Sequence, residues 1–324
     1  MPHFAPLGPL GFGGAPLGNM FDAVDDATAE GSLIAAWNSG VRYFDTAPHY
    51  GSGLSEHRFG TVLRRYPRDE FVLSTKVGRL LRPDASRPEN PPFVDALPFR
   101  VESDYSYDAT MRSVEDSLQR LGLDRIDIAF VHDLAADHLG DAWEEQFAVA
   151  RTGAFRALTD LRDQGVIKGW GLGVNLTEPC IRALEQADPD VFLLAGRYSL
   201  LNQPALDRLF PMCATRGVHV VVGGPYNSGL LAGGRTFEYQ DAPPDMIAKR
   251  DRIAAICAAH GADIRAAALQ FCAAHPVVSA IIPGAKRREK VEENARLMAA
   301  TVPPAVWQAL KDEQLIPADA PTPA

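Results

Sequence analysis

Asp45, Tyr50, Lys76 and His132 are the residues of this 324-residue chain whose types and spacing could move a proton on and off an oxygen. A phenol titrates near ~10 when unperturbed and is a weak acid or base at neutral pH. An ammonium beside it favours the phenolate, and a buried carboxylate keeps that ammonium charged and oriented. An imidazole can hydrogen-bond the substrate oxygen and fix its approach. Such a quartet suits proton transfer at an oxygen whose carbon gains or loses hydride. Neither a G-x-S-x-G elbow nor an H-E-x-x-H helix occurs in the sequence. His132-Asp133 with Asp137-His138 has the look of a ligand cluster, but the second pair falls in a polar stretch. No His-x-His pair ends the first strand, so no metal is expected.

The elements that would position the four residues read as strands ending in loops. Val41, Tyr43 and Phe44 supply β-branched or aromatic bulk that stops at Asp45. A Pro/Gly-rich loop then carries His49 and Tyr50 until Ser55-Glu56 opens a helix. Residues 71–76 form a strand ending on Lys76, and residues 126–132 one ending on His132. Further strands are expected at 10–13, 167–174, 191–195, 218–222 and 277–282, mostly separated by helices. Asp25 or Asp26 is expected to cap the first helix, Gly40 to stop it, and Thr177 to cap a later one.

Eight alternating units favour a single-domain (β/α)8 TIM barrel over residues 1–324, in which the carboxyl ends of the strands converge on one face. Two stretches break the rhythm, a Pro-rich insertion at about 78–105 and a second at about 232–246. Connections that long are usually functional, and both are read as substrate loops.

A net charge of −9 disfavours nucleic acid or an anionic membrane as the main partner, so the expected partner is a small molecule. Cys180, Cys213, Cys257 and Cys272 show no C-x-x-C or ligand spacing, which fits reduced thiols in a cytoplasm. Met1-Pro-His-Phe-Ala-Pro6 has no basic n-region, and no apolar run reaches spanning length. A dinucleotide fingerprint is absent: Gly11-Phe-Gly13 is followed by Pro16 where a third glycine belongs, and Gly171-Leu-Gly173 by Leu176. A basic run from Lys286 to Lys290, after Pro283-Gly284, is expected to open a helix and favour phosphate.

Asp45-Thr-Ala-x-x-Tyr50-Gly, Ser55-Glu56, Ser74-Thr-Lys76, Val131-His132, Gly173-Val-Asn175 and Ile282-Pro with Glu293-Asn294 together resemble the aldo-keto reductase family. The resemblance implies a (β/α)8 barrel that binds an extended NADP or NAD without a Rossmann domain. It implies that Asp45, Tyr50, Lys76 and His132 are catalytic and that Asn175 holds the nicotinamide amide. Pro225, Asn227, Ser228 and Gly229 would follow the pyrophosphate. Gly284, Ala285, Lys290, Glu293 and Asn294 would hold the adenosine end, and the cations there favour NADP. The chain departs from the family at Ala195, where Gln is frequent, and at Gly223, where an aromatic ring is frequent. That leaves amide anchoring and ring stacking open. The aldose 1-dehydrogenases, of L-fucose and D-threo-aldose type, share both departures. The resemblance therefore implies oxidation of a free aldose at its anomeric carbon. General aldehyde reduction, pyridoxal 4-dehydrogenation and a non-enzymatic cofactor-binding regulatory subunit are the alternatives.

Overall fold

The computed structural model describes residues 8–323, so the reading of Met1–Pro6 lies outside the described residues. Eight strands, Phe12–Gly13, Tyr43–Asp45, Val72–Val77, Ile128–His132, Gly169–Val174, Val191–Ala195, His219–Gly223 and Val278–Ile282, pair in chain order, all parallel. The first and last strands meet through Gly11 N–H to the Ile281 carbonyl and Ile281 N–H to the Pro9 carbonyl, each 2.8 Å. The sheet is thereby a closed (β/α)8 barrel, as the alternation of units led us to expect.

Strand side chains alternate between two environments. Tyr43, Val72, Ile128, Phe130, Val191, Leu193, Val221, Ala280 and Ile282 fill the barrel interior as one cluster. Phe44, Leu73, Val77, Ala129 and Val131 face outward into the larger core beneath the helices. The period of two sets the fate of the strand ends. Asp45 shares the parity of Tyr43, Lys76 that of Val72, and His132 that of Phe130, so all three point inward at the carboxyl end.

Several local expectations need correction. The 78–105 substrate-loop candidate carries a ribbon of its own: Arg79–Pro83 pairs antiparallel with Phe99–Ser103, burying Leu80 and Leu81. Its prolines sit mainly in the tip, leaving two short runs free to pair with each other. The 232–246 stretch likewise holds a ribbon, Thr236–Phe237 against Gln240–Asp241. The polar stretch after His132 contains helices Ala136–Leu139 and Trp143–Thr152, the latter seated by Phe147 and Ala150. Thr177 is the first helical residue rather than the cap, which is Leu176. The basic helix starts at Arg288, so Gly284–Arg287 precedes its first turn. Asp25 does cap its helix, accepting from Thr28 N–H at 2.8 Å. The four cysteines are free and buried, and among the described residues no helix is long and apolar enough to cross a membrane.

Candidate active site

Lys76 Nζ donates to Asp45 Oδ2 at 2.7 Å and to the Thr46 carbonyl at 2.8 Å, and both charged side chains are almost fully buried. Ser74 donates to Asp45 Oδ1 at 2.7 Å and is within 2.9 Å of the Tyr43 hydroxyl. The stem of Lys76 lies beside Gly173, where an added Cβ would come 3.4 Å from Lys76 Cε. Tyr50 comes from the loop after Asp45. Gly18 packs on that loop so closely that a Cβ would stand 2.5 Å from the Tyr50 carbonyl carbon. Buried Glu56, accepting from Thr75 at 2.6 Å and Arg120 at 2.5 Å, fixes the helix that follows.

The Tyr50 ring lies 4.6 Å from Lys76 Nζ, and its centroid is 5.8 Å from that of His132 at 84°. Phe93, from the insertion tip, packs against Tyr50 at 5.7 Å and His49 at 5.1 Å. The tip itself is held by Phe21 N–H to the Pro92 carbonyl at 2.8 Å and Leu97 N–H to the Gly51 carbonyl at 3.1 Å. The four residues expected to work together are thus brought together.

Their electrostatics differ from the expectation in one respect. Tyr50 is raised well above 10, first by burial and then by the Asp45 and Asp133 carboxylates. Lys76 is already matched by Asp45, so it does not tip the phenol over in the free protein. Burial also raises Asp45 against the opposing pull of Lys76. His132 is pushed well below 6.5 by burial and then by Arg79 and Lys76, so its ring is neutral near pH 7. The site therefore holds a protonated phenol and a neutral imidazole around one buried ion pair.

Two cavities meet at Tyr50. One, of about 750 Å³, is walled by His49, Tyr50, Lys76, Arg79, His132, Asp133, His138, Asn175, the insertion tip and Tyr239. The other is a groove of about 570 Å³ running from Tyr50, Ala195 and Gly223 past Pro225, Ser228 and Gly229 to Gly284, Ala285, Lys290, Glu293 and Asn294. Both volumes fall in the range that small-molecule sites occupy. Asn175 lies in the first cavity, its amide donating to Asp137 at 3.2 Å. Asn227 is the exception to the expected groove: it is buried, accepts from Ser199, and is not part of the groove wall.

The groove fits an extended dinucleotide. Its middle is lined by Gly223, Gly224, Pro225 and Gly229, and an added Cβ at Gly229 would meet nothing within 4 Å, so no side chain narrows the groove there. Its far end carries Arg265, Lys286, Arg287 and Lys290. The acids there are placed in pairs with these cations: Lys290 and Arg265 bind Glu293 at 2.7 and 2.6 Å, and Lys286 binds Asp22 at 2.9 Å.

Sequence reasoning did not assign Arg79, Asp133, His138, Tyr239 or Arg265. Arg79 and Tyr239 lie in the two long insertions, and in sequence Asp133 and His138 carry only the look of a ligand cluster. Among the described residues no group of three or more His, Cys, Asp or Glu is arranged to hold a metal ion.

A barrel that gathers Asp45, Tyr50, Lys76 and His132 at the inward carboxyl end, opening onto a long groove with cations at its far end, fits an NAD(P)-dependent oxidoreductase acting on CH–OH or carbonyl groups. The chain belongs to the aldo/keto reductase family, whose profile matches residues 9–313. It is 44% identical to pyridoxal 4-dehydrogenase of Microbacterium luteolum, with 95% of this chain and 94% of that protein covered. It is 40% identical to D-threo-aldose 1-dehydrogenase of a Pseudomonas species, with 95% and 94% covered. A holo-form aldo-keto reductase from Bacillus halodurans superposes with a TM-score of 0.73 at 25% identity, over 98% of this chain and 97% of that one.

Proposed function

We propose that this protein oxidises the anomeric carbon of a free aldose, of L-fucose or D-threo-aldose type, to the lactone, with NADP preferred over NAD. The observation that carries the reading is the wall of the larger cavity. Beside Tyr50 and His132 it presents Arg79, Asp133, Asp137, His138 and Asn175, donors and acceptors suited to ring hydroxyls. The 40% identity to an aldose 1-dehydrogenase supports it. A second reading, oxidation of pyridoxal, is favoured by the 44% relative and by the aromatic faces of Phe93 and Tyr239. The two substrates share a chemistry: each carries an aldehyde placed to close on its own hydroxyl, giving a cyclic hemiacetal.

In this reading His132 donates to the hemiacetal oxygen and orients C1, while Tyr50, once ionised, takes the hydroxyl proton. A nicotinamide bound in the groove would supply the acceptor for the C1 hydrogen as hydride. Lys76 stabilises the phenolate as it forms, and Asp45 with Ser74 keeps Lys76 charged and aimed. Pro225, Ser228 and Gly229 would run along the pyrophosphate. Gly284, Ala285, Lys290, Glu293 and Asn294 would hold the adenosine, with Lys290 nearest a 2′-phosphate. Asn175 would hold the nicotinamide amide, while Asn227, whose N–H donates to the Gly224 carbonyl at 2.8 Å, would brace the loop from behind the groove. Lactone hydrolysis removes the product and draws the reaction forward. The test is reduction of each oxidised cofactor with separate aldoses, pyridoxal and simple alcohols. Turnover with aldoses supports the reading, and turnover confined to pyridoxal or to simple aldehydes in the reverse direction rejects it.

A further inference from the structure

Asp133 follows His132 directly and adopts φ 48°, a left-handed conformation that Asp tolerates better than most residues other than glycine. Its N–H donates to the Gly173 carbonyl at 2.9 Å and its carbonyl accepts from Ala135 N–H at 2.8 Å. The turn swings the carboxylate back into the cavity, where Oδ2 stands 3.5 Å from His132 Nε2 and 2.9 Å from Arg79 Nη2. On the other side of the ring, His132 Nδ1 is buried with no hydrogen-bond partner.

We propose that Asp133, held by Arg79, is a positioning residue that keeps the single ring proton of His132 on Nε2, so that this nitrogen donates to the substrate oxygen. The alternative tautomer is opposed twice. It would leave a buried Nδ1–H with no acceptor, and it would turn the bare Nε2 lone pair toward a carboxylate. The titratable and charged groups facing the ring are Asp133, Arg79, Lys76, His49, His138 and the protonated Tyr50, 5.8 Å away centroid to centroid. Burial holds His49 down at about 2 and His138 at about 4, so both are neutral near pH 7. Burial, Arg79 and Lys76 oppose an imidazolium at His132, which leaves the ring one proton and Asp133 to decide its place.

Arg79 is itself fixed. Its Nη2 donates to His138 Nδ1 at 2.7 Å, and His138 Nε2 lies 3.4 Å from Ser103 Oγ. Arg79 and Ser103 are register partners in the insertion hairpin. The insertion thereby reaches the proton donor through one chain of contacts: hairpin, Arg79, Asp133, His132. The proposal rests on reading His132 as the donor to the substrate oxygen.

The test is long-range proton–nitrogen NMR of the ligand-free, histidine-labelled protein near neutral pH, with His132 assigned by substitution. The expected spectrum has His132 protonated on Nε2 and bare at Nδ1. In Asp133→Ala the ring moves to a mixture or to Nδ1–H. With the best substrate, its kcat falls roughly a hundredfold with KM changed far less. Asp133→Glu recovers part of both signals. NAD(P)H fluorescence on binding reports that each variant is folded. A wild-type ring protonated on Nδ1 overturns the proposal without any variant, and so does a folded Asp133→Ala with an unchanged tautomer. A sugar panel that fails while the tautomer is as expected counts against the substrate reading alone.

Discussion

Replacing Lys76 with Met separates what the buried ion pair does for the fold from what it does for the reaction. The substitution leaves the Asp45 carboxylate, 1% exposed, with Ser74 as its remaining side-chain donor. Removing one partner of a buried pair costs about 3–5 kcal/mol because the other charge is left uncompensated. Left without Lys76, the buried carboxylate is driven further toward its protonated form. Burial already raises this group, and loss of Lys76 removes the influence that lowers it. The folded-state pKa then lies above the unfolded value of ~3.9, so the folded state binds the extra proton and stability falls as pH rises between the two. The deficit should be small near pH 4, grow through neutrality and level off once the folded carboxyl ionises. Adding Asp45→Asn removes the charge and should restore most of the stability. Roughly 1 kcal/mol is expected to stay lost, from the Thr46 carbonyl that Lys76 now satisfies at 2.8 Å. Urea unfolding across pH for the single and double variants measures this. Both should be about equally impaired in kcat, because coupled residues are not additive. A single variant as stable as wild type at pH 8, or a double variant no more stable than the single, would refute the reasoning.

Tyr50→Phe should lower kcat by several orders of magnitude while cofactor affinity, read by fluorescence titration, stays within a few-fold. Because burial raises Tyr50 well above 10, the base for oxidation is scarce at neutral pH. Oxidative kcat should therefore climb with pH into the alkaline range, and reductive kcat should not. Neutral His132 contributes no ionisation to that profile near pH 7. Lys290→Glu should weaken NADP by roughly ten- to a hundredfold, the worth of a charge-assisted phosphate contact of about 1.5–3 kcal/mol. NAD affinity should change far less, and equal losses would mean that Lys290 touches no 2′-phosphate.

The barrel was legible because its strands announce themselves by apolar runs that end sharply at Asp45, Lys76 and His132. A period of two then carries those residues to one interior end, so spacing alone predicts their meeting. Arg79 was not legible in the same way. Its partners Asp133 and His138 lie beyond two further strands and a helix in the chain, and nothing local in Arg-Leu-Leu-Arg marks a residue bound for the site. The basic run was legible as charge but not as geometry. Its helix begins only at Arg288, and Asp22, Glu292 and Glu293 take up Lys286, Arg288 and Lys290. Asn227 matched a motif yet turned inward, because its carbonyl oxygen is claimed by Ser199.

The central claim is hydride removal from the anomeric carbon of a cyclic hemiacetal. The most direct measurement uses L-fucose and related aldoses carrying deuterium at C1, with oxidised NADP or NAD at mildly alkaline pH and mass analysis of both products. We expect deuterium in the reduced nicotinamide and a lactone that has lost it, with both signals abolished by Tyr50→Phe. A reduced cofactor without deuterium, or no reduction with any aldose alongside efficient turnover of pyridoxal, would contradict the account.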